Sequence, residues 1–239
     1  MSLLTPLKTG LDTALELVFP PRCCLCDALG ESLLCERCAA KLIRPMPEPV
    51  CHRCGRHCPV LPCPDCLADP PYFAAVIAAA GYSGELEEAV HWLKYRERPM
   101  LAEPLGLILA AHARRERVRL AGLGFDALVP IPMHPARARV RGYNQSERLA
   151  RVVGRELGLP VRAGLLRRRH RTRPQVGLGG DQRRENLKEA FQAREKDVKG
   201  LSILLIDDVV TTGASMREAA RALKTAGAKI VYGICLAAG

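Results

Sequence analysis

From residue 73 onward the apolar positions alternate between two periodicities. Phe73 to Tyr82 is a continuous apolar run of strand character, and Gly84 to Tyr95 carries Leu86, Val90 and Leu93 on one helical stripe. Pro99 to Arg119 repeats Leu105, Ile108, Leu109 and His112 at intervals of three and four, which predicts a second helix. Ala127 to Pro132 is a short buried strand ending in prolines, and Glu147 to Leu157 is a helix that Gly158 can cap. Gly200 to Ile206 is a strand running straight into Asp207 and Asp208. Ala214 to Ala226 is a helix stopped by Gly227, and Lys229 to Leu236 is a last strand, in which Cys235 is a small core residue. Strands alternating with helices predict an α/β domain on a parallel sheet, with its chemistry at the carboxyl ends of the strands.

The first seventy residues follow another rule. Lys8, Asp12 and Glu16 break up the apolar stretches at the start, as in an amphipathic helix and not a secretory signal. Runs such as Leu105 to Ala111 fall short of the roughly 20 residues that cross a bilayer. A cytosolic protein without membrane insertion is expected. Ten of the eleven cysteines then lie between positions 23 and 66. Eight form C-x2-C pairs: Cys23/Cys26, Cys35/Cys38, Cys51/Cys54 and Cys63/Cys66, the second set being the first displaced by 28 residues. A disulfide framework suits secreted chains, and a redox C-x2-C needs a βαβ setting that this Pro-rich stretch lacks. Structural Zn²⁺ remains, four thiolates to an ion, supplying folding energy that so short a segment cannot draw from a core. Spacing alone allows consecutive or interleaved quartets, and the repeat favours consecutive ones. Cys24, Cys58, His52 and His57 are read as bystanders. The expected organisation is a cysteine-rich region over 1–70 and an α/β domain over 71–239.

Charge narrows the partner. The net charge is +11, and the segment from Ile131 to Arg184 accounts for all of it, with fourteen arginines against three acids. Arginine is the side chain for bidentate phosphate contacts, so an anionic partner is implied, a diphosphate or a nucleic acid. Aromatic residues are 4% of the chain, so contacts to nucleic acid would be mainly electrostatic.

The run Leu204-Leu-Ile-Asp-Asp-Val-Val-Thr-Thr-Gly-Ala-Ser215 is the most specific signal. It lacks the residues of a Walker A loop or a dinucleotide fingerprint. Two acids at a strand end can accept hydrogen bonds from a ribose diol or hold Mg²⁺. Thr211, Thr212 and Ser215 offer hydroxyls, Gly213 lets the backbone come close to a ligand, and the helix beginning at Ala214 presents free N–H groups to a phosphate. Upstream, Pro132 to Gln145 follows a strand end, where Arg137 and Arg141 can clamp a diphosphate and Asn144 and Gln145 can add hydrogen bonds. Arg171 to Phe191, with Thr172, Gln175, Arg183 and Asn186, has the composition of a loop that closes over a phosphorylated ligand.

The Asp207–Ser215 run resembles the phosphoribosyl-diphosphate (PRPP) signature of type I phosphoribosyltransferases. By that resemblance Asp207 and Asp208 take the ribose hydroxyls, Thr211 to Ser215 hold the 5′-phosphate, and Val210 belongs to the same PRPP-binding run. Over nearly its whole length the chain resembles the ComF/GntX family, linked to DNA uptake in natural competence and to use of DNA as a nutrient. The resemblance rests on the cysteine knuckles, His91-Trp-Leu-Lys-Tyr95, Val129-Pro-Ile-Pro-Met-His-Pro135, Arg141-Gly-Tyr-Asn-Gln145, Thr172-x-Pro-Gln175, Arg183-x-x-Asn186 and the PRPP signature. Tyr143 stands where a Phe is expected, and Cys24 is an extra thiol. The family implies a phosphoribosyltransferase-like parallel sheet flanked by helices with an N-terminal zinc-binding extension. It implies PRPP with Mg²⁺ as ligand, and leaves the acceptor open. Lys94 reads equally well as a diphosphate contact and as a surface lysine. Two functions follow: transfer of phosphoribose from PRPP to an acceptor, or grip on single-stranded DNA alongside a helicase or recombination mediator of the uptake machinery. In the second, the fold serves as scaffold or PRPP sensor.

Overall fold

The computed structural model describes residues 20, 22–30, 33–61, 63–95, 98–116, 124–169 and 189–239. Along the chain these hold helices α1 (Glu36–Leu42) and α2 (Pro64–Ala68), strand β1 (Val76–Gly81), helices α3 (Gly84–Tyr95) and α4 (Ala102–Arg115), and strand β2 (Ala127–Pro130). Next come helices α5 (Pro135–Arg141) and α6 (Gln145–Leu157), strands β3 (Leu166–Arg168) and β4 (Phe191–Ala193), and the short helix α7 (Glu195–Val198). Strand β5 (Ser202–Val210), helix α8 (Ala214–Thr225) and strand β6 (Ile230–Ala238) complete the described chain.

The long strands form a parallel sheet in the order β1-β6-β5-β2. Its apolar residues alternate between two buried faces, as a parallel sheet covered on both sides requires. On β5, Ile203 and Leu205 face one layer and Leu204 and Ile206 the other. Helices α3, α4 and α6 cover the second face, while α8 and the antiparallel pair β3–β4 cover the first.

The cysteine-rich region straddles the β1 edge. Cys24 and Leu42 join the core layer of α3 and α4, whereas Cys51, Cys54, Cys63 and Cys66 join the layer of α8. Between them, the outward N–H groups of Val76 and Gly81 donate to the carbonyls of Arg53 (2.7 Å) and Arg44 (3.1 Å). A strand edge that would otherwise template pairing with another chain is thereby occupied. Gly55 makes this junction possible: its φ is +71°, and a Cβ there would lie 2.5 Å from the Val76 carbonyl oxygen.

The structure departs from the periodicity at a few points. The helix expected over Pro99 to Arg119 opens as a 3-10 turn, Pro99–Leu101, and its described part ends at Arg115. Pro135–Arg141, expected as loop, is a helix: Pro135 occupies the first turn, where its missing N–H costs nothing, and His134 caps it through a bond from the Ala136 N–H (3.2 Å). β5 extends past Ile206 to Val210, so the acidic pair lies within the strand rather than after it. The β3–β4 pair carried no signal, because three residues are too few to show a period.

Candidate functional site

Two sites take shape from the residues. In the first, the Sγ atoms of Cys23, Cys26, Cys35 and Cys38 lie within 4.8 Å of one another, and so do those of Cys51, Cys54, Cys63 and Cys66. The quartets are consecutive. Tetrahedral zinc with bonds of about 2.3 Å sets neighbouring sulfurs about 3.8 Å apart. Cys26 and Cys35 are 3.8 Å apart, and Cys51 and Cys66 are 4.0 Å apart. The donor sets therefore fit four-thiolate structural zinc, with no position left for substrate. Backbone N–H groups already turn toward sulfur, Cys35 N–H reaching Cys23 Sγ at 3.5 Å. Although burial opposes ionisation, these amides pull the Cys23 thiol down to about 6. Cys24 and Cys58 stay outside the quartets, their thiols donating to the carbonyls of Leu33 and Val60.

The second site lies at the carboxyl end of β5. Asp208 is 3% exposed, and its Oδ1 pairs with Lys94 Nζ at 3.0 Å. That contact pairs Lys94, at the last turn of α3, with the candidate site's Asp208. Burial disfavours its charge, yet Asp208 and then Asp207 hold its ammonium above the ordinary lysine range. Asp207 Oδ1 accepts from Ser146 Oγ (2.8 Å) and from the Asp208 N–H (3.0 Å). Burial, then the charge of Asp208, push the Asp207 carboxyl up to about 7. Asp208 Oδ2 is buried with no hydrogen-bond donor among the described residues. A carboxylate oxygen left this way can accept from a hydroxyl or hold a hard cation, and Mg²⁺ suits such a donor.

Beyond the acids the chain turns. Val210 is buried, its carbonyl accepting from the Gly239 N–H (3.1 Å), while Thr211 is exposed and Thr212 and Ser215 are partly so. Gly213 has φ +73°, a left-handed conformation costly for any other residue, and leads into Ala214 at the start of α8. Gly213 has no side chain to cap α8, and Thr212 Oγ1 accepts from the Ala214 N–H only at a long 3.4 Å, so the positive dipole end of the helix faces the turn, where an anion would be favoured.

The arginine-rich segment approaches from β2. Asn144 caps α6, its Oδ1 accepting from the Ser146 N–H (3.2 Å) and its Nδ2 donating to the Ile131 carbonyl (3.0 Å). Gln145 accepts from Arg141 (2.6 Å), whose guanidinium lies 4.9 Å from the Tyr95 ring centroid. Tyr143 donates to the Leu93 carbonyl, joining α5–α6 to the turn that carries Lys94. Arg137 stands close enough to Arg168 that, after burial, it is the main cause lowering the Arg168 guanidinium to about 10, and Asp207 acts on Arg168 in the opposite sense. Thr172, Gln175 and Arg183 lie outside the described residues. Two contributors carried no sequence signal of their own: Ser146, one helix-start serine among several, and Arg168, the middle of three arginines.

A profile for the phosphoribosyl transferase domain matches residues 101–239, and one for the double zinc ribbon domain matches 14–70. The DNA utilization protein YhgH of Salmonella typhi is 34% identical over 226 residues, covering 92% of this chain and 98% of its own. Competence protein F of Haemophilus influenzae is 27% identical over 217 residues, with 86% and 92% covered. Among solved structures, the adenine phosphoribosyltransferase of Leishmania donovani superposes at a TM-score of 0.36 and 15% identity, over 62% of this chain and 68% of that one. No described helix is long and apolar enough to cross a membrane. With a phosphoribosyl transferase profile over more than half its length, a double zinc ribbon before it and full-length similarity to these proteins, the chain belongs to the phosphoribosyl transferase domain family, as a homologue of the DNA utilization and competence F proteins.

Proposed function

We propose that the chain binds PRPP with Mg²⁺ at the end of β5 and transfers its phosphoribosyl group to an acceptor nucleophile. The observation that carries this reading is the buried Asp208 oxygen that no donor among the described residues reaches, set beside Asp207 and followed at once by the Gly213 turn and the start of α8. A ribose phosphate needs that sequence of groups: acceptors for its two hydroxyls, then N–H donors for its 5′-phosphate. Mg²⁺, when bound, neutralises diphosphate oxygens. Arg137, Arg141 and Lys94 supply further positive charge where the diphosphate would lie. As diphosphate leaves C1 with the electron pair of the broken bond, the acceptor forms its own bond to C1 and loses a proton. The residues named here position PRPP and stabilise the leaving group, which this dissociative chemistry needs more than a strong base.

The test is release of diphosphate from PRPP and Mg²⁺ across a panel of purine and pyrimidine bases and nucleotides. Release that depends on one acceptor and is abolished in Asp208→Asn supports transfer. Binding without release for any acceptor reduces the site to a PRPP sensor.

A second reading, contact with single-stranded DNA, gains support from three arginine–aromatic stacks on α3 and the α5–α6 segment: Arg98 on Trp92, Arg141 on Tyr95 and Arg148 on Tyr143, each 4.8 to 4.9 Å from the ring centroid. Of these rings Tyr95 is exposed, while Trp92 and Tyr143 are half-buried, so Tyr95 is the ring open to stack a base. Affinity for an oligonucleotide should then fall steeply with salt and weaken in Tyr95→Ala. A salt-independent affinity speaks against it.

A further inference from the structure

The second cysteine quartet does more than stabilise its own loop. Arg217 stands in the first turn of α8, four residues after Gly213, and its N–H donates to the Gly213 carbonyl at 2.9 Å. Its side chain is 9% exposed and leaves the helix for the cysteine region. Nη2 donates to Cys66 Sγ at 3.2 Å and to the Asp65 carbonyl at 3.3 Å. Nη1 donates to the Asp69 carbonyl and lies 3.5 Å from Asp69 Oδ2.

A buried cation in the first turn of a helix is misplaced by ordinary rules. The N-terminal dipole end repels it, and desolvation adds to the cost. Something nearby must offset both. Four thiolates around one Zn²⁺ carry a formal charge of −2. Two arginines meet that charge: Arg217 on Cys66, and Arg56 on Cys54, with Asp65 also 2.7 Å from Arg56. The first quartet lacks this link. Its arginine, Arg37, bonds Cys26 from within α1, on the cysteine region itself, and among the described residues it acts on Cys26, Cys35 and Cys38 rather than on the turn after β5. The hydrogen-bond path from Cys66 through Arg217 to Gly213 therefore ends on the turn that would hold the 5′-phosphate.

We propose that Arg217 is a positioning residue through which the second zinc ribbon, and not the first, fixes the phosphate turn at the start of α8. The consequence for PRPP rests on the function proposed above. The mechanical link to the turn does not.

Three variants of the full chain test it: Arg217→Gln, Arg217→Lys and, as control, Arg37→Gln. Each is measured for PRPP–Mg²⁺ affinity by calorimetry, for zinc release to a chelator, and for amide hydrogen exchange over residues 211–217, after circular dichroism has established that it folds. Arg217→Gln should weaken PRPP at least tenfold, speed exchange in the turn, and yield one zinc to chelator more readily, by about 10- to 100-fold, as loss of an outer-shell partner does. Arg217→Lys should recover part of each, and Arg37→Gln should leave PRPP affinity and the turn's exchange at wild-type values. Wild-type affinity and exchange in Arg217→Gln overturn the proposal, as does an equal effect from Arg37→Gln. If the wild type itself does not bind PRPP, the function fails, and the exchange and zinc measurements still decide the link.

Discussion

Asp207 shows what a buried carboxyl costs a folded chain. Its carboxyl titrates near 7 because burial and Asp208 oppose its charge, against an ordinary value of 3.8. Above about pH 4 the unfolded chain has released a proton that the folded chain still holds, so stability falls as the pH rises from about 4 to 7 and levels off beyond. Asp207→Asn should remove that slope and stabilise the ligand-free protein at pH 8 by on the order of 1–2 kcal/mol, while abolishing PRPP binding. Urea denaturation at pH 5 and pH 8 measures the first effect, and an unchanged slope counts against the assignment. Under the proposed function, binding follows the opposite sense: an ionised carboxylate is the better acceptor for ribose hydroxyls, so PRPP affinity should be lower at pH 6 than at pH 8. At this scale most of the site was legible in the sequence. The acids, hydroxyls and Gly213 stand together within nine residues, so their chemistry reads without the fold. Ser146 and Arg217 were not legible, because each acts on a partner more than sixty positions away, Asp207 and Cys66.

At the scale of elements, strong periodicity predicted α3 at the bounds it has, and α6, α8 and the sheet strands within a few residues. What it missed depends on chain reversal or capping. Pro135–Arg141 was expected as loop because its arginines leave no apolar stripe: none of its residues is buried, and a proline start with the His134 cap sets the helix instead. The junction of cysteine region and β1 was invisible for the same reason, since it is made by backbone groups. Gly55→Ala should show its weight. With φ +71° and a Cβ 2.5 Å from the Val76 oxygen, the substitution should destabilise the protein by about 2 kcal/mol or more, read as a lower thermal midpoint. A midpoint within a degree of wild type would mean that the two parts are not held together there.

For the whole molecule, the two quartets have different duties. The second is buried in the core layer that also holds Ala214 and Met216 of α8, while Cys26 of the first is exposed. Metal analysis of purified protein should give about two zinc ions per chain. Under a strong chelator the exposed first site should empty before the second, and loss of PRPP binding should follow the second ion, not the first. The central claim is that the end of β5 is a PRPP site, and titration of PRPP with Mg²⁺ into the wild type and an Asp207→Asn/Asp208→Asn variant tests it most directly. Micromolar binding to the wild type and none to the variant is the expected result. No heat of binding to a folded, zinc-loaded wild type would contradict the claim and leave the fold as a scaffold for DNA.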